Sequence, residues 1–136
     1  MASRAQLVAE RIGPALARGE VVLADRFVSS TLAYQEAAGG MSLDDIRAVA
    51  HIACGRVMPN LIVIFDVTEE TASARLNPLL DRMEAKGRAY HRRVRQGYLD
   101  QARDDPAHYM VIDANGDAKS VWDALVDAMA KRYANV

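Results

Sequence analysis

Asp25 and Arg26 stand side by side, and Ser29, Ser30, Thr31, Tyr34 and Gln35 follow within a few helical turns. A carboxylate and a guanidinium so placed can orient a metal-bound water and a phosphate respectively. The hydroxyls, the ring and the amide that follow can meet phosphate, sugar and base edges. Taken alone, an Asp-Arg pair is a structural ion pair or a helix cap, and Tyr34 and Gln35 are ordinary helix surface. The crowding of these types into one short stretch favours the ligand.

A second concentration of chemistry runs from Asp81-Arg82-Met83-Glu84 to His91-Arg92-Arg93-Val94-Arg95. Between positions 82 and 95, six cations (Arg82, Lys86, Arg88, Arg92, Arg93 and Arg95) face one acid, Glu84. Such a run is either a solvated helix face or a cationic flap that closes over phosphates and lends charge to a transferring group. Other chemistries find little support. His51, His91 and His108 lack metal-ligand spacing, Cys54 reads as a small buried hydrophobe, and Gly39-Gly40 as a helix-ending turn. No G-x-x-x-x-G-K-[ST] occurs in the chain.

The elements that must position these residues are legible from periodicity. Three apolar, β-branched runs read as buried strands: Val21–Ala24, Leu61–Phe65 and Tyr109–Ile112. Each ends at an aspartate (Asp25, Asp66 and Asp113), at the strand end where ligands sit in open α/β folds. Between them the pattern predicts helices. One covers 3–18, bent or divided at Pro14 and stopped by Gly19. Others run from about Ser29 to Gly39, from an N-cap at Ser42 to about Gly55, after a Thr68 cap, and over 81–103. A last helix buries Val121, Leu125, Ala128 and Met129. The order α-β-α-α-β-α-α-β-α predicts a single α/β domain over 1–136 with a parallel sheet. Its helical opening is unusual, because parallel α/β domains open on a strand, and this predicts that the front of the fold is missing.

Composition bounds the class. The chain has 136 residues, 51% hydrophobic and 26% charged, with 17 Lys plus Arg against 18 Asp plus Glu. That balance argues against nucleic acid as the partner, although the arginine-rich helix keeps that reading in view. One cysteine excludes a disulfide framework. No apolar run has the length of a membrane span and no signal region opens the chain, so the expected location is the cytoplasm.

These residues resemble the bacterial thymidylate kinase family, P-loop nucleoside monophosphate kinases. The resemblance is carried by Ala2-Ser3-Arg4-Ala5-Gln6, Pro14–Gly19, Asp25-Arg26-Phe27-Val28-Ser29-Ser30-Thr31-Leu32-Ala33-Tyr34-Gln35, Pro59–Val67, Asp81–Glu84, Tyr90–Leu99 and Val111–Ala114. It implies a P-loop NTPase-like three-layer α/β/α fold, incomplete at the N-terminus, with a lid over 75–95. It also implies transfer of the γ-phosphoryl group of ATP to dTMP with Mg2+, in a homodimer packed through the helices at 3–18 and 42–55. By the same resemblance, Arg4 hydrogen-bonds thymine and Asp25 serves the acceptor and magnesium site. Arg26 grips the dTMP phosphate, with Ser30 and Thr31 lining its pocket. Tyr34 crowds the sugar, Gln35 lies at the base end, and Arg82, assisted by Arg75, directs charge at the ATP phosphates. In the family the Walker loop and a central first strand, lying between 21–24 and 61–65, precede the position of Met1. The resemblance therefore implies that this chain alone transfers no phosphate. A non-catalytic nucleotide-binding or interaction module on the same scaffold is the alternative.

Overall fold

A computed structural model of the chain describes residues 1–39, 42–75 and 87–134. The opening helix is built in three pieces: α1 (Ala2–Leu7), a π-helical turn (Val8–Ile12) and α2 (Gly13–Ala17). Pro14 has no N–H to return to the preceding turn, and the wider π turn ahead of it accommodates the ring without ending the helix. Gly19 closes the segment at φ +78, and Gly39 ends α3 (Val28–Ala38) in the left-handed region at φ +70, which a side chain resists.

Capping follows the sequence. The Ser42 hydroxyl accepts from the Asp45 N–H at 3.1 Å to start α4 (Leu43–Cys54). Thr68 accepts from the Thr71 N–H at 3.3 Å at the head of α5 (Glu69–Arg75). The Asp117 carboxylate accepts from the Ser120 N–H at 2.7 Å and begins α7 (Ala118–Tyr133). The long charged helix is α6 (Gly87–Asp104); positions 81–86, with Arg82 and the middle of the expected lid, lie outside the described residues. Along α7, Val121, Leu125, Ala128 and Met129 are half-buried, as their spacing predicts, although none is fully covered.

Two of the three expected strands form. β1 (Ile62–Asp66) and β2 (Tyr109–Asp113) pair in parallel, in register from Ile62 opposite Tyr109 to Asp66 opposite Asp113. The third expectation fails: residues 21–24 adopt no strand, and Val21 and Leu23 are 90% and 94% exposed. A strand exists only as part of a ladder, and no described segment lies alongside this one to take its N–H and C=O groups or cover its side chains.

The main core lies between helices. Val8, Phe27, Val28, Leu32, Ile46, Ala50 and Cys54 gather there from the opening helix, α3 and α4. A second cluster forms where α6 crosses α3: Ala33 and Val94, covered by Tyr34, Tyr90 and Tyr98. Gly97 permits that crossing, because a Cβ there would lie 3.2 Å from Ala33 Cα and 3.1 Å from a Glu36 carboxylate oxygen. The fold therefore holds the start of α3, which carries the hydroxyl-rich motif, between the helical core on one side and α6 on the other.

Candidate functional site

Three aspartates were expected at strand ends, and their surroundings separate them. Asp66 is taken by Arg95, whose Nε and Nη2 donate to its two oxygens at 2.6 and 2.7 Å. This bond raises the guanidinium pKa above its ordinary value. Asp113 folds back on the Asn115 backbone N–H (2.9 Å) and side-chain amide (2.7 Å), which hold its carboxyl below the usual range. Asp25 is exposed and has neither a hydrogen bond nor an ion pair among the described residues. Of the three aspartates it is the one whose carboxylate is uncommitted among the described residues.

The residue beside it is conformationally distinctive. Arg26 has φ +62, the one positive φ outside glycine among the described residues. Such a backbone costs on the order of 1 kcal/mol and persists only where the surroundings impose it. Here Phe27 and Val28 are fixed in the helical core, and Arg4 reaches across from α1 to donate to the Phe27 carbonyl at 3.0 Å. The loop so held turns the Arg26 guanidinium over the Tyr34 ring, 5.6 Å from its centroid. Tyr34 is in turn edge-on to Tyr90 and Tyr98 of α6, with centroids 6.4 and 6.5 Å away.

One turn into α3, Ser30 accepts a hydrogen bond from the Tyr98 phenol at 2.7 Å. Ser29 and Ser30 are buried, Thr31 is half-buried and Gln35 is exposed. Buried Gln101 locks the same helix pair: its amide donates to the carbonyls of Gly97 (3.0 Å) and Ser29 (3.3 Å) and accepts from Tyr109 at 3.0 Å. Burial pushes the Tyr109 phenol pKa up, so it stays a proton donor. The structure thus gathers Arg4, Arg26, Ser30 and Tyr34 about the start of α3, with Asp25, Thr31 and Gln35 on the same segment.

Arg75 is not among them. It donates to the carbonyls of Ala114 (2.8 Å), Asn115 (3.1 Å) and Gly116 (2.6 Å), clasping the loop after β2 to α5. Arg82 lies outside the described residues. The arginine-rich helix is neither a purely solvated face nor a free flap: Arg92 pairs with Glu69 at 3.3 Å and Arg95 with Asp66, docking α6 against α5 and β1. Reading α6 for its charges alone missed Gly97, Tyr98 and Gln101. With Val94 they recur at 94, 97, 98 and 101, the one-face spacing of a helix, and that pattern was the available signal.

Among the described residues no group of three or more His, Cys, Asp or Glu side chains could enclose a metal ion. An exposed, unpartnered carboxylate such as Asp25 instead suits magnesium, which keeps waters and takes phosphate oxygens with one or two protein carboxylates. No described helix is long and apolar enough to cross a membrane.

Comparison with known proteins identifies the family of this chain. The thymidylate kinase family model matches residues 1–125. The thymidylate kinase of Desulforudis audaxviator is 45% identical over 126 residues, covering 89% of this chain and 57% of that protein. That of Pseudomonas fluorescens is 46% identical over 126 residues, 91% and 60% respectively. That of Trichlorobacter lovleyi is 38% identical over 141 residues, 98% and 66%. The chain therefore spans between about a half and two thirds of the length of these curated relatives. A match across nearly the whole chain, on an α/β scaffold with a parallel strand pair, shows that this chain belongs to the thymidylate kinase family, with its P-loop NTPase fold.

Proposed function

We propose that residues 1–136 form the nucleotide-acceptor part of a thymidylate kinase, which transfers the γ-phosphoryl group of ATP to dTMP to give dTDP. The observation that carries this reading is Arg26, held at φ +62 over Tyr34 beside the unpartnered Asp25. Phosphoryl transfer is mostly positioning and charge stabilisation, and this cluster supplies both. Arg26 grips the acceptor phosphate through two parallel N–H bonds and offsets its charge as it approaches the donor. Ser30 and Thr31 add hydroxyl donors. Tyr34 crowds the sugar, while Arg4 and Gln35 meet the base edge, so that a wrong base leaves their polar groups unmatched. Arg82 directs charge at the transferring group, and Arg75 acts only by holding the loop at 114–116. Magnesium, when bound, neutralises phosphate oxygens, and Asp25 is the residue that would hold it.

The sequence holds no G-x-x-x-x-G-K-[ST] phosphate-cradling loop. This favours binding without turnover by these residues alone, with dTDP formed only when a strand, phosphate loop and helix are supplied. The proposed assembly is a cytoplasmic homodimer. Leu7, Leu16, Val49 and Ile52 on the opening helix and α4 are 42%, 44%, 42% and 83% exposed, and a second copy would cover them.

Calorimetric titration of the chain tests the reading. dTMP should bind in preference to UMP and AMP, and Arg26→Ala should weaken dTMP at least tenfold. Equal affinity for AMP and dTMP, or a loss below about threefold in the variant, would overturn the assignment. The same chain with ATP, magnesium and dTMP should form no dTDP, and robust turnover would overturn that expectation by revealing a further ATP site.

A further inference from the structure

Of the two α6 tyrosines that meet Tyr34, one also bonds a hydroxyl of the acceptor cluster and has no role in the reading above. Tyr98 meets two of its members at once. Its phenol bonds the Ser30 hydroxyl at 2.7 Å, and its ring lies edge-on to Tyr34, which carries the Arg26 guanidinium. Both contacts lie where the helices pack closely. Gly97 lets α6 approach Ala33 closely, and Gln101, 7% exposed, ties α6 to the Ser29 carbonyl one residue before Ser30.

We infer that Tyr98 is a positioning residue for the acceptor phosphate, acting by fixing Ser30 as a hydrogen-bond donor. This rests on the acceptor-site reading of the stretch from Asp25 to Gln35. A serine hydroxyl has one hydrogen and two lone pairs, and it turns to suit whatever surrounds it. The phenol is the more acidic of the two hydroxyls, so it donates and Ser30 accepts. One Ser30 lone pair is then occupied and its own hydrogen remains to give. Accepting a bond also strengthens the bond a hydroxyl donates. A fixed donor suits an anion, which offers only acceptors. Through Tyr34 the same residue, together with Tyr90, steadies the surface on which Arg26 rests, so that Tyr98 bears on both phosphate-directed groups.

The test compares dTMP with thymidine, which lacks the phosphate, on the 136-residue chain by calorimetry. Tyr98→Phe keeps the ring and removes the donor. It should weaken dTMP binding roughly five- to tenfold and leave thymidine within about twofold. Ser30→Ala should show the same selective loss, and the double variant should lose little more than Ser30→Ala alone. A packing role predicts equal losses for dTMP and thymidine, and that result overturns the inference. So does an unchanged dTMP affinity in either variant while the parent chain binds dTMP, with the acceptor-site reading then left standing. A parent chain that binds no dTMP overturns both. Near-UV circular dichroism reports whether Tyr98→Phe keeps the tyrosine packing. Should it not, Ser30→Ala still tests the inference, because it removes the donor that Tyr98 fixes, and an unchanged dTMP affinity there overturns it.

Discussion

The seam between α3 and α6 and the stretch 21–24 are both apolar in sequence, yet they end at opposite extremes of burial. Ala33, in the seam, is 0% exposed, while Val21 and Leu23 are 90% and 94% exposed. The difference is not hydrophobicity. A helix satisfies its own backbone and needs only a face to pack, which Gly97 and Ala33 provide to each other. A strand needs a neighbour for its backbone first, and among the described residues this stretch has none. Residues placed on α3 are therefore held by tertiary contacts, whereas the run leading into Asp25 is held from its two ends, by the Glu20 N–H bond to the Ala15 carbonyl and by Phe27 and Arg4.

The strongest way to break this contrast is to force the seam apart. Gly97→Leu places three more carbons where even a Cβ is crowded, and should cost about 2–3 kcal/mol by urea unfolding. Selective weakening of dTMP binding should accompany it, because Tyr98 withdraws from Ser30. An unaltered unfolding midpoint would show that the helices separate freely.

A smaller effect is expected where α6 is tied to β1. Asp66→Ala leaves Arg95 without its bidentate partner. The pair is only partly buried, with 41% and 18% of the two side chains exposed, so water screens much of the interaction. A loss of about 1 kcal/mol is expected, shrinking as salt is added. A salt-independent loss would place the effect in packing instead.

The smallest effect belongs to the bare stretch. Leu23→Lys should shift stability by no more than about 0.5 kcal/mol, because the leucine touches little in this fold. The same variant should raise solubility at high protein concentration by breaking an exposed apolar run. A cost above about 1 kcal/mol would mean that Leu23 is covered in solution, and would erase the contrast between the two regions.

Much of this protein was determined locally, and the sequence by itself carried it. The caps at Ser42 and Thr68 and the glycine stop after α3 depend on near neighbours, and the apolar runs at 61–65 and 109–112 on strong periodicity. So did the concentration of ligand-type residues from Asp25 to Gln35, since they lie on one short segment. Tertiary structure decided what depends on partners far along the chain. It left Val21–Ala24 unpaired, for want of a neighbouring strand. It separated three similar aspartates by giving Asp66 to Arg95, Asp113 to Asn115 and Asp25 to no described group. It moved Arg75 to the carbonyls at 114–116 and brought Tyr98 to a serine 68 positions away. Periodicity fixes which face a residue occupies, but which charge or hydroxyl meets it there is settled only when the elements pack.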